Sequence, residues 1–257
     1  MPEGDTLVRT ADGLRPYLVG RTVTAASART PGPQAGRLVG ATVTGVEAQG
    51  KNLLIRFDNG LEVRTHLRMH GSWHRYRPGA RWRRPPARAR LVIEVPGSVV
   101  VCFDAPTVEL FEQRVEAIHP ALSRLGPDLL KEPLDVDEAL RRLRDPSRAL
   151  VPVAVALLDQ RALAGIGNEV KNEVLWQARR SPFTPVRDLD DDALRELIEL
   201  GRVLLRRGAA TGDRPRHVYR RSGRPCPRCG AIIRVAHQGA DLPRLTFWCA
   251  RCQPAPA

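Results

Sequence analysis

The chain has 257 residues, long for one domain and comfortable for two. Its formal net charge is +13 and its pI about 10.7, an excess that favours a polyanionic partner, most simply nucleic acid. Hydrophobic residues make up 42%, enough for a packed core, yet no apolar run approaches the ~20 residues of a membrane span and no basic-then-apolar leader is seen, so a soluble intracellular protein is expected.

The chain opens Met-Pro-Glu-Gly-Asp-Thr. Residues 5–20 then place Leu7, Val8, Ala11, Leu14 and Leu18 at helical spacing, with Asp5 or Thr6 as the expected cap and Gly20 as the stop. From 21 to about 118 the texture becomes β-branched and broken by glycine, proline and Asn-Gly. "RTVTAASA", "ATVTGVEAQG", "NLLIRF", "LEVRTHLRM", "ARLVIEV" and "SVVVCFDA" read as strands, and Phe57–Leu61 as a hairpin turn. Many short strands predict a sandwich or barrel. Cys102 falls in one of them and reads as a small core residue. "RPGARWRRPPARAR" (77–90) reads as a loose Pro/Arg-rich loop. His66, His70 and His74 recur every fourth residue, but the strand-like "LEVRT" before and Gly71 after argue against a metal-binding helix face.

After "IHPALSRLGPDLL" four segments read as helices: "DVDEALRRLRD", "RALVPVAVALLDQ", "GNEVKNEVLWQARR" and "DLDDDALRELIELGRVLLRRG", the last with Asp190–Asp192 suited to a helix start. "GIGN" (165–168) precedes an amphipathic pattern at Val170, Val174 and Leu175. Glycines at a helix start make an anion site; Asn168 either caps the helix or meets a phosphate.

Cys226-x2-Cys229, nineteen residues, then Cys249-x2-Cys252 is the spacing of one structural zinc ion held by four thiolates. His237 is a further donor that the closed set does not need. Arg244 falls near the tip of the hairpin between the pairs, where a cation meets phosphate. "PAPA" reads as a tail.

The amino terminus carries chemistry of its own. An α-amino group titrates at about 7.7–8.0, against about 10.4 for lysine, so more of it is a free nucleophile at neutral pH. Loss of Met1 makes Pro2 that amine, and a secondary amine yields an iminium that is cationic without a proton. Glu3 is beside it to move protons, a pair suited to covalent catalysis at a masked aldehyde such as deoxyribose C1′.

"PEGDT" (2–6), "GKNLL" (50–54), "THLRMHGSW" (65–73), "HPALSRLGPD" (119–128), "LLDQRALAGIGNEVKNEVLW" (157–176) and the cysteine ribbon resemble, in order and over nearly the whole chain, the formamidopyrimidine-DNA glycosylase/endonuclease VIII family. The resemblance implies an α+β multidomain fold: a helix plus two-layer β-sandwich over 1–118, a helix–two-turn–helix bundle over 119–216, and a zinc ribbon with tail over 217–257. It implies a bifunctional glycosylase/AP lyase of base excision repair, acting on damaged DNA as a cytoplasmic, nucleoid-associated monomer with one structural Zn2+. Pro2 would attack C1′, Glu3 donate a proton, Lys51 assist β-elimination and Arg244 δ-elimination. Arg68, Met69 and His70 would fill the void left by the flipped base, since unstacking costs a few kcal/mol. Arg124 and Asn168 match phosphate-contacting positions, and Lys171 is expected with them on the DNA-binding side. Asp5-Thr6 departs from the endonuclease VIII pattern, which puts a supporting carboxylate there in question. The short connection Ala209–Arg216 favours the endonuclease VIII branch, oxidised pyrimidines and an open pocket. The alternatives are a catalytically silent lesion- or abasic-site-binding protein on the same scaffold, against which intact Pro2, Glu3 and Lys51 count, and a tautomerase-like use of the terminal proline, against which the charge and ribbon count.

Overall fold

The computed structural model describes residues 2–239 and 243–254; the end of the predicted tail lies outside them. Internal packing divides the chain into two units, one of Pro2 and Thr6–Ser123, the other of Glu3–Asp5 and Arg124 onward.

Helix α1 (Gly4–Leu18), which belongs to the first unit from Thr6 on, buries Leu7, Ala11, Leu14 and Leu18, as the periodicity predicts. It starts at Gly4, so Asp5 and Thr6 lie inside its first turn rather than capping it, and Val8 is only half-buried. Gly20 follows with φ +76, a conformation that favours glycine. The strands are β1 (Ala25–Ala28), β2 (Val43–Gln49), β3 (Asn52–Phe57), β4 (Leu61–His66), β5 (Ser72–Tyr76), β6 (Ala89–Val95), β7 (Ser98–Phe103) and β8 (Thr107–Glu112). They form two antiparallel four-stranded sheets, β1-β6-β7-β5 and β2-β3-β4-β8. Alternate residues of each sheet (Leu53, Ile55 and Phe57 from one; Leu91, Ile93 and Cys102 from the other) enter one core with the α1 leucines. Strands β5 and β8 are additions to the sequence reading. The Arg-rich loop 77–90 is pinned: Trp82 stacks on Tyr76 and meets Phe103 edge-on, and the Arg83 amide donates to the Tyr76 hydroxyl at 3.1 Å.

The second unit contains α2 (Val136–Leu143), α3 (Val153–Ala156), α4 (Asn168–Gln177) and α5 (Asp191–Thr211), followed by the hairpin β9 (Ile233–Gln238) and β10 (Arg244–Cys249). Caps fix two starts: Asp135 accepts from the Glu138 amide at 2.8 Å, and Asp190 from the Ala193 amide at 2.7 Å. The helix expected over "RALVPVAVALLDQ" shrinks to α3, because Pro152 lacks the amide a continuous helix needs and instead sits at its N-cap. Helix α4 corrects the amphipathic reading, for every residue from Asn168 to Trp176 is buried. Among the described residues no helix is long and apolar enough to cross a membrane.

Candidate active site and metal centre

Burial of α4 brings its polar residues to specific partners, and the first is the amino-terminal segment. Glu3 is 0% exposed. Its Oε1 accepts from the Glu169 amide at 2.7 Å and its Oε2 from the Val170 amide at 3.2 Å. The helix start is therefore an anion site, as its glycines predict, and the anion is a carboxylate of this chain. Gly167 makes the approach possible, because a Cβ there would lie 2.3–2.4 Å from the Glu3 side chain. The Gly4 amide donates to the Gly165 carbonyl at 3.0 Å, tying the segment down beside its carboxylate. Pro2 precedes it, half-buried; Met1 lies outside the described residues.

Arg214, which the sequence reading did not single out, meets the same carboxylate. Its Nη1 is 2.7 Å from Glu3 Oε2, and its Nε is 3.2 Å from Asp5 Oδ2 and 3.4 Å from Glu169 Oε1. Burial opposes the guanidinium charge, but Glu3, Asp5 and Glu169 raise its pKa. Asp5 thus does place a second carboxylate beside Glu3's partner, despite the departure at that position.

The α4 side chains one turn apart grip strand β10. Asn168 Nδ2 donates to the Leu245 carbonyl at 2.9 Å, Lys171 Nζ to Thr246 Oγ1 at 2.8 Å, and the Phe247 amide to Asn172 Oδ1 at 2.7 Å. Asn168 is therefore not the cap, which is Gly167. These three bonds fix the register of the residue before them, Arg244, the first of β10 and half-buried. Lys171, expected on the DNA-binding side, is 1% exposed. Burial pulls its pKa down to about 7; Glu3 acts to raise it and Arg244 to lower it further. From about pH 7 to the ordinary lysine value of 10.5 the unfolded chain holds a proton the folded one has released, so this group's contribution to stability rises with pH across that window and is lost below it. Denaturant unfolding at pH 7 and pH 9 should show a stability gain that Lys171→Met reduces; equal gains in both proteins would contradict the assignment.

In the first unit Lys51 occupies a two-residue hairpin turn between paired Gln49 and Asn52, where Gly50 has φ +57. Burial, then Arg68, Arg64 and Lys51, lower the His66 pKa to about 4, so its ring is neutral at pH 7. Its Nδ1 accepts from the Arg68 amide at 3.2 Å. Arg68 (φ 49), Met69 (50% exposed) and His70 form a turn from β4 to β5, closed by the Gly71 amide on the Leu67 carbonyl at 2.8 Å. The three histidines share no helix face, and the exposed side chains of Arg68, Met69 and His70 stand on the turn. Arg124 is exposed at the start of the second unit.

At the hairpin base the Sγ atoms of Cys226, Cys229, Cys249 and Cys252 all lie within 4.8 Å of one another. Cys229–Cys249 is 3.4 Å and Cys226–Cys252 3.9 Å. A tetrahedral ion with metal–sulfur bonds of ~2.3 Å has sulfur–sulfur edges of roughly 3.8 Å, so the set fits one ion. Disulfides need ~2.05 Å, and all four cysteines are free. His237 is not in the cluster. Trp176 Nε1 donates to Cys226 Sγ at 3.4 Å, linking α4 to the cysteine cluster from outside the set.

A β-sandwich, then a helical unit ending in a four-cysteine hairpin, is the architecture of a DNA glycosylase of the MutM type, and the backbone bears this out. It matches MutM in complex with DNA containing carbocyclic 8-oxo-G at TM-score 0.86 and 22% identity, covering 99% of this chain and 100% of that one. It matches Lactococcus lactis Fpg bound to abasic-site DNA at TM-score 0.85 and 21% identity, over 98% and 100%. The chain belongs to the formamidopyrimidine-DNA glycosylase/endonuclease VIII family: the formamidopyrimidine-DNA glycosylase N-terminal domain matches residues 1–108 and the formamidopyrimidine-DNA glycosylase H2TH domain residues 125–216. Similar curated proteins are a probable endonuclease 8 2 of Streptomyces coelicolor (41% identical, covering 100% of this chain and 95% of that one), the DNA-(apurinic or apyrimidinic site) lyase Nei2 of Mycolicibacterium smegmatis (37%, 99% and 100%) and endonuclease 8 of Escherichia coli (30%, 98% and 100%).

Proposed function

We propose that this chain is a bifunctional DNA glycosylase/AP lyase of base excision repair, acting from its amino terminus on oxidised bases, pyrimidines before purines. One observation carries the reading beyond family membership: the carboxylate next to Pro2 is buried on a helix start and held by two amides and an arginine. So fixed, it is held in place one residue from the amine. The freed Pro2 nitrogen attacks C1′ of the damaged nucleotide, and the glycosidic bond breaks as the base leaves with a proton. Glu3 moves that proton, and the sugar ring opens to an iminium. Loss of a C2′ proton, assisted by Lys51, expels the 3′ phosphate; a further elimination, with Arg244 on the phosphate, expels the 5′ phosphate. Water then frees Pro2.

Arg68, Met69 and His70 stand in the vacated stack, while Asn168 and Arg124 sit by the backbone. Lys171 acts from beneath, through β10. The four thiolates hold one Zn2+, which staples a hairpin too small to fold alone. The connection from α5 to the ribbon is only Gly212–Arg216, which leaves the lesion pocket open and favours the endonuclease VIII branch. Residues 1–118, 119–216 and 217–257 act as catalytic sandwich, helical DNA-binding and ribbon parts of a cytoplasmic, nucleoid-associated monomer.

The test is borohydride reduction on an abasic-site duplex. A covalent protein–DNA adduct should form, its amino-terminal peptide starting at modified Pro2. Pro2→Gly should cut the yield strongly. Undiminished trapping with the amino terminus acetylated would refute the mechanism, and absence of any nicking would leave a binding protein.

A further inference from the structure

The strongest unclaimed feature is a buried charge cluster around Arg214. This residue lies just after α5, which ends at Thr211, in the short run of chain that leads to the ribbon. Its side chain is 11% exposed, and those of Glu3, Asp5 and Glu169 are 0%, 6% and 3% exposed. Three carboxylates from two distant stretches thus share one buried guanidinium. Arg216 adds a second cation, 3.0 Å from Glu169 Oε1, but is itself 58% exposed.

The backbone has been cleared for this cluster. A Cβ on Gly208 would overlap the Asp5 carboxylate and crowd the Arg214 Cγ, while one on Gly167 would overlap Glu3. Two glycines on two helices therefore admit the two amino-terminal carboxylates.

We propose that Arg214 is a positioning residue for base excision: it holds Glu3 at the start of α4 and neutralises the carboxylates beside it, so that the α5-to-ribbon connection works as a strap on the reacting end of the chain. This rests on Glu3 serving the base-departure step. Among the described residues three groups donate to Glu3, two of them amides, and Arg214 is the charged one. Without it Glu3 keeps the amides but loses the guanidinium it shares with Asp5 and Glu169, while Arg216 stays on Glu169 from a more exposed position, and like charges in a buried site repel. Glu3 then shifts from its place, which removes it as a poised proton carrier. Arg214 touches neither Pro2's chemistry nor the phosphates in this scheme, so the imine step on an abasic site does not depend on it.

The experiment compares two duplexes, one with a single dihydrouracil and one with a preformed abasic site, under single-turnover conditions with saturating enzyme. Arg214→Ala should slow base release about 100-fold, the scale of a small misplacement of a reacting group. Borohydride trapping at the abasic site and DNA affinity should stay within a few-fold of the unaltered protein. Arg214→Lys should restore part of the rate, and in a Glu3→Gln background removal of Arg214 should change nothing further. Equal loss in both steps, or full base release by Arg214→Ala, overturns the proposal. Arg214→Gln, of similar reach, replaces the alanine variant if that fails to fold. Full base release by Glu3→Gln alone instead overturns the reading of Glu3, and the proposal with it, which separates the two failures.

Discussion

Gly167→Ala should reduce base excision by about 100- to 10,000-fold, the range spanned by a lost general acid or base. The reason is steric and local. Gly167 has φ −116, a value any residue adopts, so the backbone itself would accept alanine. The added methyl, however, would sit 2.3–2.4 Å from Cγ, Cδ and Oε1 of Glu3. Glu3 is fully buried, so it must leave the α4 amides to make room. The helix then loses the carboxylate on its first turn, a loss comparable to that of an N-cap, about 0.5–2 kcal/mol. Single-turnover base release and thermal unfolding measure the two effects. A Glu3→Ala background is the internal control: there the methyl fits, and Gly167→Ala should leave stability unchanged. A normal rate in Gly167→Ala alone would mean that Glu3 does not work from the helix start.

The contrast between Gly167 and its neighbour Asn168 shows where the sequence is readable. The short apolar, β-branched runs "NLLIRF" and "ARLVIEV", the Asn-Gly turn, Asp190 before α5 and the paired cysteines are local signals, each legible within a few residues. The "GIGN" turn also announces an anion site. What no local pattern shows is which anion fills it, since Glu3 arrives from 166 positions away. Arg214 is one arginine among many, and only convergence with Glu3, Asp5 and Glu169 distinguishes it. Asn168 and Lys171 look like surface ligands because polar residues on a helix usually face water. Here α4 is covered on all sides, and its polar side chains dock β10 and the segment after α5; Glu173, for one, accepts from the amides of His217, Val218 and Tyr219. Strand β8 is half-buried throughout, so it lacks the run of buried apolar residues that marks β3 and β6.

Removing the metal, by chelation at mild denaturant or by Cys249→Ser, should abolish strand nicking while leaving the sandwich folded. Magnitudes decide this. Structural zinc in small four-ligand sites is worth roughly 10–16 kcal/mol of apparent binding energy. Against that, the hairpin is held to α4 by the bonds from Asn168, Lys171 and Asn172, each contributing about 0.5–1.5 kcal/mol net, with a small apolar cluster of Trp176, Val218, Tyr219, Ile233 and Phe247. These contacts are too few to order a six-residue strand pair alone. Without the ion β10 leaves α4, and Arg244 leaves with it. Trp176 reports the event, because it donates to Cys226 and stacks on His217 at 4.3 Å. Chelation should therefore change tryptophan emission in step with zinc release, and both should precede loss of nicking. The sandwich transition on heating should persist, since its core contains no hairpin residue. Borohydride trapping by zinc-free protein should fall through weaker DNA binding and recover at high enzyme concentration, because Pro2 and Glu3 remain. Fully active, metal-free protein would show that α4 alone can hold the hairpin.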